Sequence, residues 1–290
     1  MELNDSDKKS TPSFIEGVGL GLRRSLMTEM LEQQPEQISF FEVAPENWIN
    51  VGGRYGRQFR EITESRPLIC HGLSLSIGGP TELDFNLLKQ LKRFISDNNV
   101  SLFSEHLSYC SDHAHLYDLM PLPFTEEAVN YVSGRISKVQ DFLGQQIAME
   151  NISYYAAPGQ HMAEIDFITA ILEKSDCKLL LDINNIYVNS INHGYDAENF
   201  MFELPKNRIE YFHMAGHYVE AEDLRIDTHG APICDPVYEL LDKAYKHFGS
   251  IPTLLERDFN IPPLSELLTE VNRIIEIQSK PQKIKEQQIV

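Results

Sequence analysis

Short apolar runs alternate along the chain with longer amphipathic stretches. Eight of the runs read as strands: GVGLGL (17–22), ISFFEVA (38–44), PLICHGLSLS (67–76), VSLFSEHLS (100–108), QIAMENIS (146–153), KLLLDINNI (178–186), IEYFHMA (209–215) and TLLERD (253–258). Most are apolar almost throughout, as strands of a parallel sheet covered on both faces must be. Helical periodicity lies between most of them. In TELDFNLLKQLKRFISDNN, residues Phe85, Leu88, Leu91 and Ile95 share a face, with Thr81 available as a cap and Asp84 three residues on. Val129, Val132, Ile136, Val139 and Leu143 do the same in TEEAVNYVSGRISKVQDFL. DPVYELLDKAYKHF and PLSELLTEVNRIIEI follow suit, and Pro236 suits a helix start. After the sixth strand the pattern is weakest: DAENFMFEL is short, and NNIYVNSINHGYD reads as a loop.

Repeated β-then-α units in 290 residues predict an α/β fold, a single (β/α)8 TIM barrel. Barrels of roughly 250 residues are routinely one domain. The expected limits are 15–279, between polar stretches 1–14 and 280–290 that read as flexible tails. A doubly wound sheet is the alternative. It would carry a phosphate loop in its first βα turn, but GVGLGLRR is G-x-G-x-G rather than G-x-G-x-x-G. Close packing at the first strand accounts for these glycines.

Composition narrows the function. The chain has 25 basic and 43 acidic residues, a net charge of −18, which argues against a nucleic-acid backbone as partner. Cys70, Cys110, Cys177 and Cys234 are scattered without a C-x-x-C, as expected of reduced thiols in a cytoplasmic protein. The N-terminus has no apolar signal core, and no run approaches the roughly 18 apolar residues of a membrane span.

In a TIM barrel, chemistry sits where strands end and βα loops begin. Titratable groups recur at those places: Glu42 with strand two, His71 on three, Glu105 and His106 on four, Glu150 on five, Asp182 on six, His213 on seven and Glu256 on eight. Each alone is unremarkable, since a lone strand histidine is more often a hydrogen-bonded core residue and a terminal glutamate a solvated one. Together they are harder to explain as scattered structural residues. Carboxylates in apolar runs such as LLLDI, IAMEN and TLLERD need partners, and several facing one mouth would repel each other. Cations remove both difficulties. Mixed imidazole and carboxylate without thiolate suits iron, manganese or zinc. Glu150 and Glu256 can bridge two ions, His71 and His106 complete one, and Asp182 with His213 a second. Asp227 and His229, two apart in RIDTHG, point the same way in extended chain and can serve a third. Glu150, Asp182 and Glu256 are the candidate catalytic carboxylates.

Other candidates are weaker. His113 and His115 alternate in a polar loop, and His161 and His247 look like surface residues. His217 can be a supporting or substrate group, as can His193 in the loop after strand six. Trp48 lines the mouth or packs a loop. Asn47, Asn151, Asn184 and Asn185 orient ligands or make turns. No G-x-S-x-G occurs, and Cys70 faces away from its neighbour His71.

CHGLSLSIGG, SEHLSY, MENIS, LDINNIYVNSINHG, FHMAGH, DTHG and LLERD, taken in order, resemble the multinuclear non-haem iron-dependent oxidases, the family of the methanobactin-biosynthesis oxidase. The resemblance runs from about Gly17 to the last helix. It implies a xylose-isomerase-like barrel holding two or three irons, with manganese or zinc as substitutes. It also implies oxidation of cysteine residues in a ribosomally made precursor peptide, which a small partner protein delivers. The ligand order is similar, too, to metal endonucleases acting at abasic sites. Those carry a histidine three residues after the strand-six aspartate, where this chain has Asn185, and the departure implies a third ion that is weakly held or exchangeable. Glu105, His193, Asn184 and His217 are then supporting or substrate groups. Two other functions fit the same residues: a divalent-metal isomerase, hydrolase or endonuclease that needs no oxygen, and a non-catalytic partner-binding protein stabilised by metal.

Overall fold

The computed structural model describes residues 15–112 and 114–287. In chain order the elements are β1 (Val18–Gly21), α1 (Met27–Gln33), β2 (Phe41–Val43), α2 (Gly53–Thr63), β3 (Leu68–His71), α3 (Phe85–Asp97), β4 (Leu102–His106), β5 (Tyr109–Ser111) and β6 (His115–Met120). There follow α4 (Glu126–Leu143), β7 (Ala148–Glu150), α5 (Glu164–Ser175), β8 (Lys178–Asp182), α6 (Ile183–His193), α7 (Ala197–Glu203) and β9 (Ile209–Met214). The chain continues through β10 (Tyr218–Ala221), β11 (Leu224–Ile226), α8 (Asp235–Phe248), β12 (Thr253–Leu255) and α9 (Leu264–Gln287).

Each predicted apolar run contains a strand, shorter than the run. Those strands pair in parallel in the order β1-β2-β3-β4-β7-β8-β9-β12 and close, β12 lying beside β1. The fold is therefore the expected (β/α)8 barrel. Two antiparallel hairpins, β5–β6 after β4 and β10–β11 after β9, are inserted on the face where the barrel strands end.

Strand alternation sorts the side chains. Phe41, Cys70, Phe103, Met149, Leu181, Phe212 and Leu255 turn outward into the large apolar core shared with the helices. Phe40, Ile69, Leu102, Ala148, Leu180, Tyr211 and Leu254 turn inward and, with Ile15, pack the barrel interior. Two residues further along each of those strands, the inward position changes character, to Glu42, His71, Glu150, Asp182, His213 and Glu256, with Ser104 and then His106 on β4. An apolar floor thus carries a polar layer at the C-terminal mouth. The strands read as continuous apolar runs because both faces are covered, and only the last inward residue breaks the run. A Cβ on Gly19 would collide with the Phe40 ring and one on Gly17 with Ser39 Oγ, so these two glycines serve close packing, as expected, whereas Gly21 has room.

Several local expectations are corrected. Asp84, not Thr81, caps α3: its carboxylate accepts from the amides of Asn86 and Leu87 at 2.8 and 3.1 Å. The sixth run is strand only as far as Asp182. Helix α6 begins at the next residue, with the Asp182 carboxylate accepting from the Asn185 amide at 2.6 Å. The β-branched and apolar residues of INNIYV hid this start, because buried helix and buried strand look alike over so few positions. His193 consequently ends a helix rather than lying in a loop. Trp48 packs on Phe59, ring centroids 4.6 Å apart, as an ordinary core residue. Helix α9 runs into the stretch read as the C-terminal tail, residues 1–14 lie outside the described residues, and so does His113. Among the described residues no helix is long and apolar enough to cross a membrane.

Candidate metal centre

Three donor groups lie in the polar layer: His71, His106 and Glu150; Glu150, Asp182, His213 and Glu256; and His229, Glu256 and Asp258. Neighbouring groups share a carboxylate. Glu150 presents Oε2 to the Nε2 atoms of His71 and His106, at 3.1 and 3.2 Å, and Oε1 to Nδ1 of His213 at 3.5 Å. Glu256 Oε2 lies 2.8 Å from Nδ1 of His213 and 3.0 Å from Nδ1 of His229. Glu150 and Glu256 are the residues at which the groups meet.

The inner histidines are oriented from behind. His71 Nδ1 donates to Ser104 Oγ at 2.8 Å, Ser104 to Tyr211 Oη at 2.8 Å, and Tyr211 to Glu42 Oε2 at 2.7 Å. That same Glu42 oxygen accepts from Nε2 of His213 at 3.1 Å. His106 Nδ1 donates to Glu105 Oε1 at 3.1 Å, and Glu105 Oε2 accepts from the Leu75 amide at 3.0 Å. Each inner histidine therefore gives one ring proton to a fixed partner and turns its other nitrogen into the basin. Such partners set the tautomer and orientation of metal-binding histidines. Glu42 was noted in the sequence without a role; Ser104 and Tyr211 stand two residues before His106 and His213, a spacing that puts them on the inward face but does not reveal the link they make.

The donor atoms fit cations better than they fit each other. His71 Nε2 and His106 Nε2 are 3.0 Å apart, and both face Glu150 Oε2. Ligands about 2.1 Å from a shared ion at right angles stand about 3.0 Å apart. Asp182 Oδ2, His213 Nδ1 and His229 Nε2 are buried without a hydrogen bond. The nitrogens lie close to carboxylates, yet the contacts are not aligned for an N–H donor, so proximity alone does not satisfy them. Two carboxylates about 4 Å apart repel by about 4 kcal/mol at an effective dielectric near 20. Without a cation, protons must carry that charge. Burial opposes a charged His106, but Glu150 and Glu105 outweigh it and raise its pKa to about 9. Burial raises Asp182 well above the carboxylate range despite the nearby His229. Burial acts the same way on Glu150, but His71 and His106 overcome it and hold that carboxyl well below the usual range. A divalent ion would replace these protons directly.

The outer group is built differently. His229 has φ +46°, a left-handed conformation that few non-glycine residues adopt. The turn places Nε2 2.8 Å from Asp227 Oδ1 and 3.6 Å from Asp182 Oδ2. Asp227 is held by Ser153 Oγ at 2.8 Å and Asn184 Nδ2 at 3.2 Å, and His217 Nδ1 donates to Asn184 Oδ1 at 2.8 Å. Asn184 and His217 thus support Asp227. The second carboxylate of the outer group is Asp258, two residues beyond Glu256 and not among the candidates from the sequence. Asn185 commits its amide nitrogen to the Asn151 carbonyl at 3.1 Å, while its Oδ1 is buried without a hydrogen bond. His193 turns away from the cluster. Its Nε2 donates to the Tyr154 carbonyl at 2.8 Å and its ring stacks on Tyr154. His161 and His247 are exposed.

Residues 17–279 match the sequence profile of a family described as RiPP precursor modification enzyme MbnB/TglH/ChrH. A UPF0276 protein of Shewanella sediminis is 57% identical over 261 residues, covering 90% of this chain and 94% of that protein. A UPF0276 protein of Alcanivorax borkumensis is 57% identical over 277 residues, 92% of each. Among solved structures, endonuclease IV from Thermus thermophilus superposes with a TM-score of 0.60 over 90% of this chain and 99% of that one, at 13% identity. A xylose isomerase-like TIM barrel/4-hydroxyphenylpyruvate dioxygenase fusion protein gives 0.59 over 94% of this chain and 44% of the other, at 14% identity. At such identities the likeness shows the fold alone, a xylose-isomerase-like barrel.

Proposed function

Because the chain belongs to the MbnB/TglH/ChrH family of RiPP precursor modification enzymes, we propose that it is a multinuclear non-haem iron, dioxygen-dependent oxidase of cysteine residues in a ribosomally made precursor peptide. The observation that carries this reading is the pair of shared carboxylates, Glu150 and Glu256, each standing between two donor groups. His71, His106 and Glu150 would hold one ion. Glu150, Asp182, His213 and Glu256 would hold a second, and His229 with Glu256 and Asp258 an outer third, with Asp227 and Asn185 beside it. Bound there, iron would supply the redox chemistry with dioxygen and a docking point for a cysteine thiolate. Manganese or zinc would occupy the same donors without that chemistry.

The protein's own residues would do the rest. Glu42, Ser104, Tyr211 and Glu105 would keep the imidazoles aimed and the carboxylates ionised. The buried layer would exclude water from the reacting sulfur. Loops around that mouth expose large apolar side chains: Leu73 after β3, Tyr155 after β7, Val219 on β10 and Phe259 after β12, the last 66% exposed. An apolar collar of this kind suits a polypeptide better than a sugar. The resemblance adds a small partner protein that delivers the peptide.

The test is a reaction. Protein loaded anaerobically with Fe(II), given a cysteine-containing precursor peptide and then air, should change the peptide's mass at a cysteine while oxygen is consumed. An unchanged peptide with every cysteine intact, from protein shown to carry iron, would remove this reading.

A further inference from the structure

The rim of the basin contains a cation of its own. Every barrel strand except β1 contributes a polar side chain to the layer at the mouth. At the corresponding place β1 has Gly21, where a Cβ would lie 3.5 Å from the guanidinium of Arg23. Arg23 lies across this gap. Its Nε donates to the Arg257 carbonyl at 3.2 Å, its Nη2 pairs with Asp258 Oδ1, and Nη2 lies 3.6 Å from Glu256 Oε1. These two carboxylates are the acidic members of the outermost donor group. The second oxygen of Asp258 turns to His229 Nδ1 at 3.5 Å. Of the inner carboxylates only Glu256, shared with the outer group, lies near Arg23; among the described ion pairs, Glu150 and Asp182 meet only histidines.

We infer that Arg23 is a resident counter-cation of the outer donor group, holding the charge that a third metal ion would need and so making that ion loosely bound and exchangeable. The inference rests on the reading of the basin as a metal centre and adds to it the cause of an affinity difference. A guanidinium stays protonated, so it cannot yield by losing charge as a histidine does. Burial disfavours its charge, yet Asp258 and Glu256 more than compensate. A divalent ion on His229, Glu256 and Asp258 must repel Arg23 or displace it from Asp258. Displacement is open to it, because the Arg23 side chain is 23% exposed and borders solvent. The inner groups meet Arg23 only through Glu256, at 3.6 Å, and no inner donor is paired with it directly as Asp258 is.

Metal-free protein is equilibrated without oxygen against graded Fe(II), desalted, and its iron per chain measured by elemental analysis. The wild type should retain the inner ions and lose the outer one. Arg23→Gln should bind the outer ion roughly tenfold or more tightly and keep it through desalting, with inner binding unchanged. Arg23→Lys, which preserves the charge, should stay close to wild type, and Asp258→Asn should abolish outer binding in every background. Thermal melts of the metal-free variants confirm folding, which a partly exposed side chain permits. Unchanged or weakened outer binding in Arg23→Gln would overturn the inference, showing that Arg23 positions Asp258 instead of competing for it. Equal tightening in the Lys and Gln variants would overturn it too. A wild type that retains no iron at the inner groups fails a different claim, the metal centre itself.

Discussion

The inner and outer halves of the basin use the same residue types and are built on different principles. The inner histidines His71, His106 and His213 sit on barrel strands, each with one ring nitrogen tied to a buried partner. Their carboxylate partner Glu150 meets no Lys or Arg among the described ion pairs. The outer group leaves the strands. His229 sits in a left-handed turn, and Asp258, in a loop, has a side chain 36% exposed and paired with Arg23. Both ring nitrogens of His229 face carboxylates, so no neutral partner chooses between them. Rigid strands and a one-directional donor chain preorganise the inner half, whereas loops and a resident cation leave the outer half adjustable. This predicts tight, lasting occupancy inside and exchange outside.

The difference can be broken most severely at Glu150. Glu150→Ala removes the carboxylate common to the two inner groups and leaves His71, His106 and His213 facing one another, so iron per chain should fall to near zero and activity to background. If it loses only a single ion, Glu150 is not shared. A smaller effect is expected behind the inner half. Glu42→Gln or Tyr211→Phe interrupts the chain linking His71 to His213, and inner affinity should fall by roughly 10–100-fold while outer affinity changes little. Competition with a chelator of known affinity measures both.

Proton competition sharpens the same contrast. In metal-free protein His106 has a pKa raised to about 9, against an ordinary value of 6.5. A raised histidine pKa stabilises the fold fully below the ordinary value, and that contribution disappears as pH rises through about 9. Metal-free protein should therefore lose up to about 3 kcal/mol of stability between pH 6.5 and 9. Metal-loaded protein should lose much less, since the ion has already replaced the proton, and its uptake should release protons in the same range. Denaturant titrations at several pH values check this, and parallel curves for both forms would contradict it.

The smallest expected effect on iron lies outside the basin. Burial raises Glu164, whose carboxylate accepts from Tyr154 Oη at 2.8 Å, to about 7. A carboxyl raised in the folded state costs stability as pH climbs from its ordinary value to about 7. Glu164→Gln should remove that slope, worth up to about 3 kcal/mol, without altering iron content. A change in iron would tie this helix to the metal centre.

The barrel was legible because its strands are covered on both faces and so read as unbroken apolar runs. The inner donors were legible for a related reason: each ends such a run with a charge or an imidazole. Glu42 was noticed but given no role, and Tyr211 passed unnoticed, because an aromatic in an apolar strand gives no sign that its hydroxyl links two histidines. The hairpins were missed because strands as short as Tyr109–Ser111 and Leu224–Ile226 leave too few positions to show alternation. Asp258 and Arg23 were hidden for another reason: an acid and a base in loops resemble any solvated pair, and only the closure of β12 against β1 brings them together.

Anomalous diffraction at the iron edge, from crystals grown and loaded without oxygen, would locate the ions in the basin. One peak is expected among His71, His106 and Glu150 and a second among Glu150, Asp182, His213 and Glu256, with a weaker outer peak by His229. A single peak, or none, in fully loaded crystals would contradict a multinuclear centre.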